Sequence, residues 1–318
     1  MRPISEPGTI DDMVADADQG GHAVTARLIR DWTQQGLLDY PQRRPAGKGH
    51  GSEQAIYSAN QRMLLLTLLH HRDGNNISSL ARIPVGIWIY WGDEYVPLRQ
   101  ARRALLRFLG DQDASRNFAQ DVMRASKQRA RETARAMLGQ FDHPDATPRA
   151  RREFLDAITE AAWTGRPDFD RIEAALRAVF EPGYGQVRRV VGHPAAPQLA
   201  DSVITGIKVR IAAVSALTAG TVSDQGLVDA RDAHLFAYAD YAARQPQYAA
   251  AVPAERASMY EPVTGEEALN NCCGHFLTVL GLQIAYPEAA EEMKRARAFL
   301  RKPPPSAFGL TAAQLSSR

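Results

Sequence analysis

Arginine is the residue type whose chemistry is most evident in this sequence. Of the 38 lysine and arginine residues, 33 are arginine, whose planar guanidinium group forms paired hydrogen bonds with phosphate or with the edge of guanine. Residues 1–152 carry 22 basic and 17 acidic side chains, whereas residues 153–318 carry 16 and 19. The first half is therefore expected to face a polyanion, although an ordinary solvated surface would have the same composition.

Cys272 and Cys273, followed by His275, are the residues that could bind a metal or undergo thiol redox chemistry. Neighbouring residues of a helix diverge by about 100°, so these thiols could not share a metal without ligands from elsewhere in the chain. The apolar residues around them follow a helical period, and free cysteine is among the most buried residue types. We therefore expect both cysteines to pack in a helical core, and we predict no metal site.

None of the sequence patterns HExxH, GxxxxGK[ST] and GxSxG is present. Residues 47–51 (GKGHG) are rich in glycine, but they do not follow a strand and open a helix, as a phosphate-binding loop does. The histidines without metal-ligand spacing to acidic partners are His70, His71, His193 and His234. We therefore expect a binding protein with no catalytic residues and no cofactor; an enzyme within residues 148–302 is the lesser alternative.

The periodicity near the N-terminus predicts two short helices joined by a turn. Helical patterns cover residues 9–19 and 24–35, and the pair Gly20-Gly21 between them interrupts the helix. The second pattern ends at Gly36, where a residue in the left-handed conformation is expected to cap the helix.

A hairpin and a third helix are predicted next. Residues 40–44 and 54–58 flank a stretch with three glycines, which predicts a hairpin with a basic tip, and a helix starts near Ser58. Helix, turn, helix, hairpin and helix is the order of a winged-helix DNA-binding unit. Residues 78–91 are apolar at nearly every position, so the pattern does not distinguish a buried strand from a buried helix.

The rest of the chain is predicted to be helical. Residues 97–141 are rich in arginine, with an interruption at Gly110-Asp111, and residues 99–152 hold 13 basic and 6 acidic side chains. Thr147 and Asp168 are expected to cap the next two helices. The later helices are predicted near residues 195–219, 224–245, 265–285 and 287–301, with the 195–219 helix central and buried.

Residues 24–38 (VTARLIRDWTQQGLL) carry the most specific pattern in the chain. A hydroxyl residue starts the helix, arginine follows, then an aliphatic-arginine pair, an aromatic residue and a closing Gly-Leu-Leu. The residues in these places are Thr25, Arg27, Ile29-Arg30, Trp32 and Gly36-Leu37-Leu38. The segment resembles the recognition helix of the MerR family of transcriptional regulators.

The resemblance continues into the hairpin and covers roughly residues 9–69. The family's wing runs from an arginine shortly after Gly-Leu-Leu to a tyrosine followed by serine or threonine, and Arg43-Arg44 and Tyr57-Ser58 fit those places. The chain departs from the family where Asp31 replaces the first aromatic residue and where extra residues around Gly20 lengthen the first turn. Its wing tip is also longer than usual.

The resemblance implies that Thr25 and Arg27, at the start of the recognition helix, contact base edges in the major groove. Tyr57 would support the wing or donate its hydroxyl to a phosphate. The residues expected to contact the DNA backbone, or to lie beside it in the wing, are Arg30, Arg43, Arg44, Lys48 and His50.

The resemblance further implies a sequence-specific regulator of transcription that binds double-stranded DNA as a homodimer. The family joins its protomers through a helix in the place of residues 97–141, whose apolar spacing is not a regular heptad. The alternative is an architectural DNA-binding protein of chromosome segregation, plasmid maintenance or recombination. A small-molecule effector or a protein partner of the C-terminal domain is also open.

We therefore predict a mainly α-helical chain in four parts. These are a winged-helix domain (1–95), an arginine-rich connector (96–146), an all-helical dimerisation or effector domain (147–302) and a flexible tail (303–318). Apolar runs such as residues 63–69 are far shorter than the roughly 20 residues of a membrane span. Residues 1–12 lack a cationic start followed by an apolar run, so we expect no secretory signal. The expected location is the cytoplasm, in association with the nucleoid.

Overall fold

The structure is a computed structural model that describes residues 4–45, 52–109, 127–128, 130–132, 134–139, 142–164, 167–180, 200–251 and 265–297. It is mainly helical with one two-stranded antiparallel sheet, which confirms that part of the predicted fold class. The elements are α1 (Ile10–Gln19), α2 (Ala26–Gln34), β1 (Gln42–Pro45), β2 (Ser52–Ile56), α3 (Ala59–His70), α4 (Ile77–Leu80), α5 (Arg82–Trp91), α6 (Leu98–Phe108), α7 (Pro148–Thr164), α8 (Phe169–Phe180), α9 (Ala200–Thr218), α10 (Asp224–Ala251), α11 (Gly265–Ala285) and α12 (Pro287–Arg297).

Several of the helices begin where a hydroxyl or acidic side chain accepts a hydrogen bond from the first turn. Thr9 and Asp12 form a reciprocal capping box at the start of α1, and Ser58 caps α3 through the Gln61 amide. The predicted caps at Thr147 and Asp168 are confirmed, since they accept hydrogen bonds from backbone amides of α7 and α8 at 3.1 Å.

The predicted hairpin is present as β1 and β2, with Arg44 opposite Glu53 and Pro45 opposite Ser52. The register is irregular between Gln42 and Arg44. The tip of the hairpin, which includes Lys48 and His50, lies outside the described residues.

Residues 78–91, which the pattern left undecided, form the end of α4 and all of α5. The segment is apolar on every side because α5 is buried on most of its circumference, with Val85 and Trp88 fully enclosed. The prediction that the helix near residues 224–245 ends at about residue 245 is wrong, since α10 continues through Pro246 to Ala251. A proline inside a helix removes one backbone hydrogen bond and does not by itself end the helix.

Packing divides the chain into two units. The first comprises residues 1–111, 212–243 and 262–318, and the second comprises residues 112–211 and 244–261. In the first unit the N-terminal and C-terminal helices share one core, where the rings of Trp88 and Phe276 meet edge to face with centres 5.7 Å apart. This division differs from the domain boundaries predicted at residues 95 and 146. Whether the predicted domains fold independently stays a prediction.

The second unit has its own small core around α7 and α8, in which Phe154 and Val179 are fully buried and Ile204 of α9 takes part. The prediction that α9 is a central buried helix holds for only part of its surface, because Ile211 is 44% exposed. None of the described helices is both long and apolar enough to span a membrane.

Candidate nucleic-acid interface

Helix α2 presents one polar face to solvent and one apolar face to the core. Ile29 and Trp32 are buried, whereas Arg27, Arg30 and Gln34 are exposed at positions i, i+3 and i+7, which share one side of a helix. The Arg27 side chain is 89% exposed and lies 3.9 Å from the Asp31 carboxylate. The structure thus brings the two predicted arginines of α2 together with Gln34, which the sequence analysis had not singled out.

Thr25 caps this helix, because its hydroxyl oxygen accepts a hydrogen bond from the Leu28 amide at 3.3 Å. The hydroxyl group can still donate its own hydrogen, and Thr25 is exposed beside Arg27. The residue predicted to contact a base therefore also determines where the helix starts.

The hairpin places Arg43 on an exposed position of β1 and Arg44 on the same strand. Tyr57, at the end of β2, is buried, and its hydroxyl group lies 3.2 Å from the Thr33 hydroxyl of α2. The backbone amide of Tyr57 also donates to the Gly8 carbonyl, and the Tyr57 carbonyl accepts from the Gly8 amide. Of the two roles considered for Tyr57, support of the hairpin fits this position, and donation to a phosphate does not because the hydroxyl faces the core.

Helix α6 fastens the C-terminal end of α2 through Arg103. Arg103 donates to the carbonyl oxygens of Thr33 at 2.6 Å and Leu38 at 3.2 Å, and its guanidinium lies 4.2 Å from the centre of the Tyr40 ring. The last carbonyls of a helix have no partner within the helix, and a cation is favourable there. Because every helix end needs donors for its last carbonyls, an arginine-rich helix is a candidate to supply them, and this is the signal that the sequence offered.

Two further residues of α6 contribute to the same contact. Arg99 pairs with the buried Asp39 at 2.6 Å, a hydrogen bond that raises the pKa of Arg99. The side chain of Gln100 donates to the Leu37 carbonyl at 2.8 Å and accepts from the side-chain amide of Gln61 at 2.7 Å. At the described start of the arginine-rich connector, these side chains thus join α6 to α3 and to the residues that follow α2.

A second cluster of chemically active side chains lies in the core of the first unit. His234 and His275 face each other with 2.7 Å between their Nδ1 atoms, so one ring donates and the other accepts. The Cys272 sulfur lies 3.7 Å from Nε2 of His234, and Cys272 also hydrogen-bonds Tyr90. Burial raises the pKa of the Cys272 thiol to about 12, which keeps it protonated. The prediction that both cysteines are buried in a helical core is confirmed.

The residues that the structure describes include no group of three or more His, Cys, Asp or Glu side chains arranged to hold a metal ion. The sequence analysis treated His234 as an isolated histidine. Its partner His275 is 41 residues away, and no spacing pattern pairs them.

Acid should destabilise the protein through His234. Burial and the neighbouring His275 lower the pKa of His234 from 6.5 to about 3, so below pH 6.5 the unfolded chain binds a proton that the folded chain does not. Stability that is present above pH 6.5 is therefore lost as the pH falls, by about 2 kcal/mol between pH 7 and pH 5 from this group. Urea unfolding of the wild type and of His234→Gln at both pH values measures this loss. The exposed His70→Gln is the matched control, and an equal loss in wild type and His234→Gln would contradict the assignment.

Comparison with protein-family models, with curated proteins and with solved structures finds no match to this chain. The arguments below therefore rest on the geometry of the described residues and on the pattern of the sequence.

Proposed function

We propose that this chain is a MerR-like regulator of transcription that binds double-stranded DNA as a homodimer. Its N-terminal helices and hairpin would act as a winged helix-turn-helix, with α2 in the major groove and β1–β2 against the sugar-phosphate backbone. The order of elements and the pattern of residues 24–38 support this proposal.

The observation that carries the proposal is the exposed face of α2. Arg27 and Arg30 supply two guanidinium groups, and Gln34 supplies an amide, which are the groups that pair with guanine and adenine edges. The nine residues of α2 extend about 14 Å along the helix axis, and an α-helix, about 10–12 Å in diameter with its side chains, fits the major groove, which is about 12 Å wide.

The surroundings of α2 support a fixed orientation for this face. The core holds the apolar side of α2, and Arg103 holds its last turn. Gln100 holds Leu37, just after the helix, and the hydroxyl groups of Tyr57 and Thr33 join the hairpin to α2. Contacts to base edges discriminate between sequences only when the donors are held in place, whereas contacts to phosphate mainly position the protein.

Binding is tested with the full chain on DNA selected from a random double-stranded pool and measured by fluorescence anisotropy. Arg27→Ala should lose roughly 1–3 kcal/mol of binding free energy on the selected site and much less on random DNA, because a base contact is lost. Arg43→Ala should weaken binding to both DNAs alike and lower the slope of log affinity against log salt by about one.

Arg72→Ala is the matched control, since it removes the same charge from an exposed residue just after α3. Arg72 and the hairpin lie at opposite ends of α3, which is roughly 18 Å long. It should leave the ratio between the two DNAs unchanged. If no sequence is enriched from the pool, or if Arg27→Ala binds the selected site as the wild type does, the proposal is wrong. If a sequence is enriched, a genome-wide map of binding sites distinguishes the two kinds of DNA-binding protein. A regulator should occupy promoters, and an architectural protein should occupy clustered sites elsewhere.

A further inference from the structure

The exposed face of α2 carries one negative charge, at Asp31. Because successive residues of a helix turn by about 100°, a face roughly 100° wide holds all four of the polar side chains Arg27, Arg30, Asp31 and Gln34. The Asp31 side chain is 48% exposed at one border of this face, and its Oδ2 atom lies 3.9 Å from Nε of Arg27. A carboxylate therefore stands on the surface that the proposed function turns toward a polyanion.

The stability of α2 does not explain this carboxylate. Acidic residues are favourable near the N-terminus of a helix and basic residues near its C-terminus. Arg27 instead lies in the first turn of α2 and Asp31 in the last, and an i, i+4 ion pair in this order stabilises a helix less than the reverse order does. The pair is also exposed to water, where an ion pair contributes little to folding.

Toward DNA, a carboxylate has both a cost and a use. Phosphate groups repel it, so it weakens the sequence-independent attraction that basic residues provide. In the major groove it can only accept hydrogen bonds, and guanine and thymine present only acceptors on their own edges. Cytosine presents its N4 amino group, whereas adenine presents an amino group beside the N7 acceptor, a pair that suits an amide better. Cytosine is therefore the base that fits a carboxylate.

We infer that Asp31 is a specificity-determining residue, whose carboxylate accepts a hydrogen bond from N4 of a cytosine in each half-site. Arg27 beside it pairs with a guanine at a nearby position. One helical turn separates the two residues by about 6 Å along the axis, less than the rise of two base pairs at about 3.4 Å each. The inference rests on the proposed function, because it assigns a base to the same helix. Asp31 stands where the MerR pattern has an aromatic residue, so the resemblance does not imply this contact.

Fluorescence anisotropy of the full chain on the selected site, and on its single-base-pair variants, tests the inference. In the wild type, replacement of one C·G pair in a half-site should lower the affinity roughly ten-fold. Asp31→Ala should bind all four base pairs at that position within about two-fold, and random DNA roughly three-fold more tightly, because a repulsion from phosphate is removed. Asp31→Asn should prefer adenine there, since an asparagine amide pairs with N6 and N7 of adenine.

Asp73→Ala is the matched control, since it removes a carboxylate from an exposed residue after α3 and should keep every base preference of the wild type. Urea unfolding gives a second measurement, which a structural role of Asp31 would change. Asp31→Ala should be at least as stable as the wild type, because alanine favours the helix and the lost charge lay at its unfavourable end.

Folded Asp31→Ala and Asp31→Asn variants with the base preferences of the wild type at every position would overturn the inference. The proposed function would still stand in that case if Arg27→Ala loses a preference of its own. A wild type that enriches no sequence from the pool would reject the proposed function and the inference with it. A less stable Asp31→Ala with unchanged preferences would assign the carboxylate to the folding of α2 instead.

Discussion

Replacement of Asp16 by alanine should lower the free energy of unfolding of the first unit by about 3 kcal/mol, because it leaves a largely buried guanidinium without the carboxylate that pairs with it. Arg62 of α3 donates to both oxygens of the Asp16 carboxylate, at 2.7 Å and 2.8 Å, and its third nitrogen donates to the Glu6 carbonyl at 2.9 Å. The side chains of Arg62 and Asp16 are only 14% and 11% exposed. The hydrogen bond with Asp16 raises the pKa of Arg62, and arginine stays charged in proteins even without such a partner, so in the variant the group cannot escape the cost by losing its proton.

Urea unfolding followed by the fluorescence of the tryptophans, among them the buried Trp32, measures the effect. The control is Glu153→Ala, which removes a carboxylate from the exposed pair with Arg171 and should change stability little. The double replacement Asp16→Leu with Arg62→Met removes both charges and should recover most of the loss. Equal unfolding midpoints for Asp16→Ala and the wild type would show that this pair does not hold α1 against α3.

Replacement of Gly36 by alanine should lower the free energy of unfolding by about 3 kcal/mol or more, because the added Cβ atom brings two separate penalties. Gly36 has φ +81°, a left-handed conformation that costs an L-residue roughly 1–2 kcal/mol. An added Cβ would also lie 2.6 Å from Cβ of Arg103 and within 2.9–3.0 Å of the α6 backbone, an overlap that typically costs about 1–3 kcal/mol. Relief of that overlap would move α6 away from the end of α2.

Gly74→Ala is the matched control for this change. Gly74 has the same φ of +81°, but nothing lies within 4 Å of an added Cβ, so only the conformational penalty applies. The difference between the two unfolding free energies measures how tightly α6 closes on α2. If the proposed function holds, Gly36→Ala should also weaken binding to the selected DNA while the protein is still folded, and Gly74→Ala should not. Equal costs for both variants would contradict the close approach.

Much of the local structure could be predicted from short stretches of residues. Thr147 and Asp168 predict the starts of two helices, because a capping side chain and the backbone amide that donates to it lie within three residues of each other. The left-handed turn at Gly36 and the hairpin were predicted for the same reason, since glycine is the residue that adopts such backbone conformations without strain.

The candidate interface was predicted only in part. The pattern of residues 24–38 named Arg27 and Arg30, and their helical spacing to Ile29 and Trp32 predicts that the arginines face outward. It could not predict that Tyr57 turns its hydroxyl into the core, because that orientation depends on Thr33, which is 24 residues away in sequence.

The long-range pairings follow from packing and have no signature in the sequence. Arg103 reaches a carbonyl 70 residues away, and His234 meets His275 only because the core brings α10 and α11 into contact there. Residues 78–91 form helices since the core surrounds them, whereas their unbroken apolar run fits a strand equally well. Caps, turns and helical period arise from contacts within a few residues and can be read in order along the chain; partners that meet across a core are set by the lowest free energy of the whole packed unit.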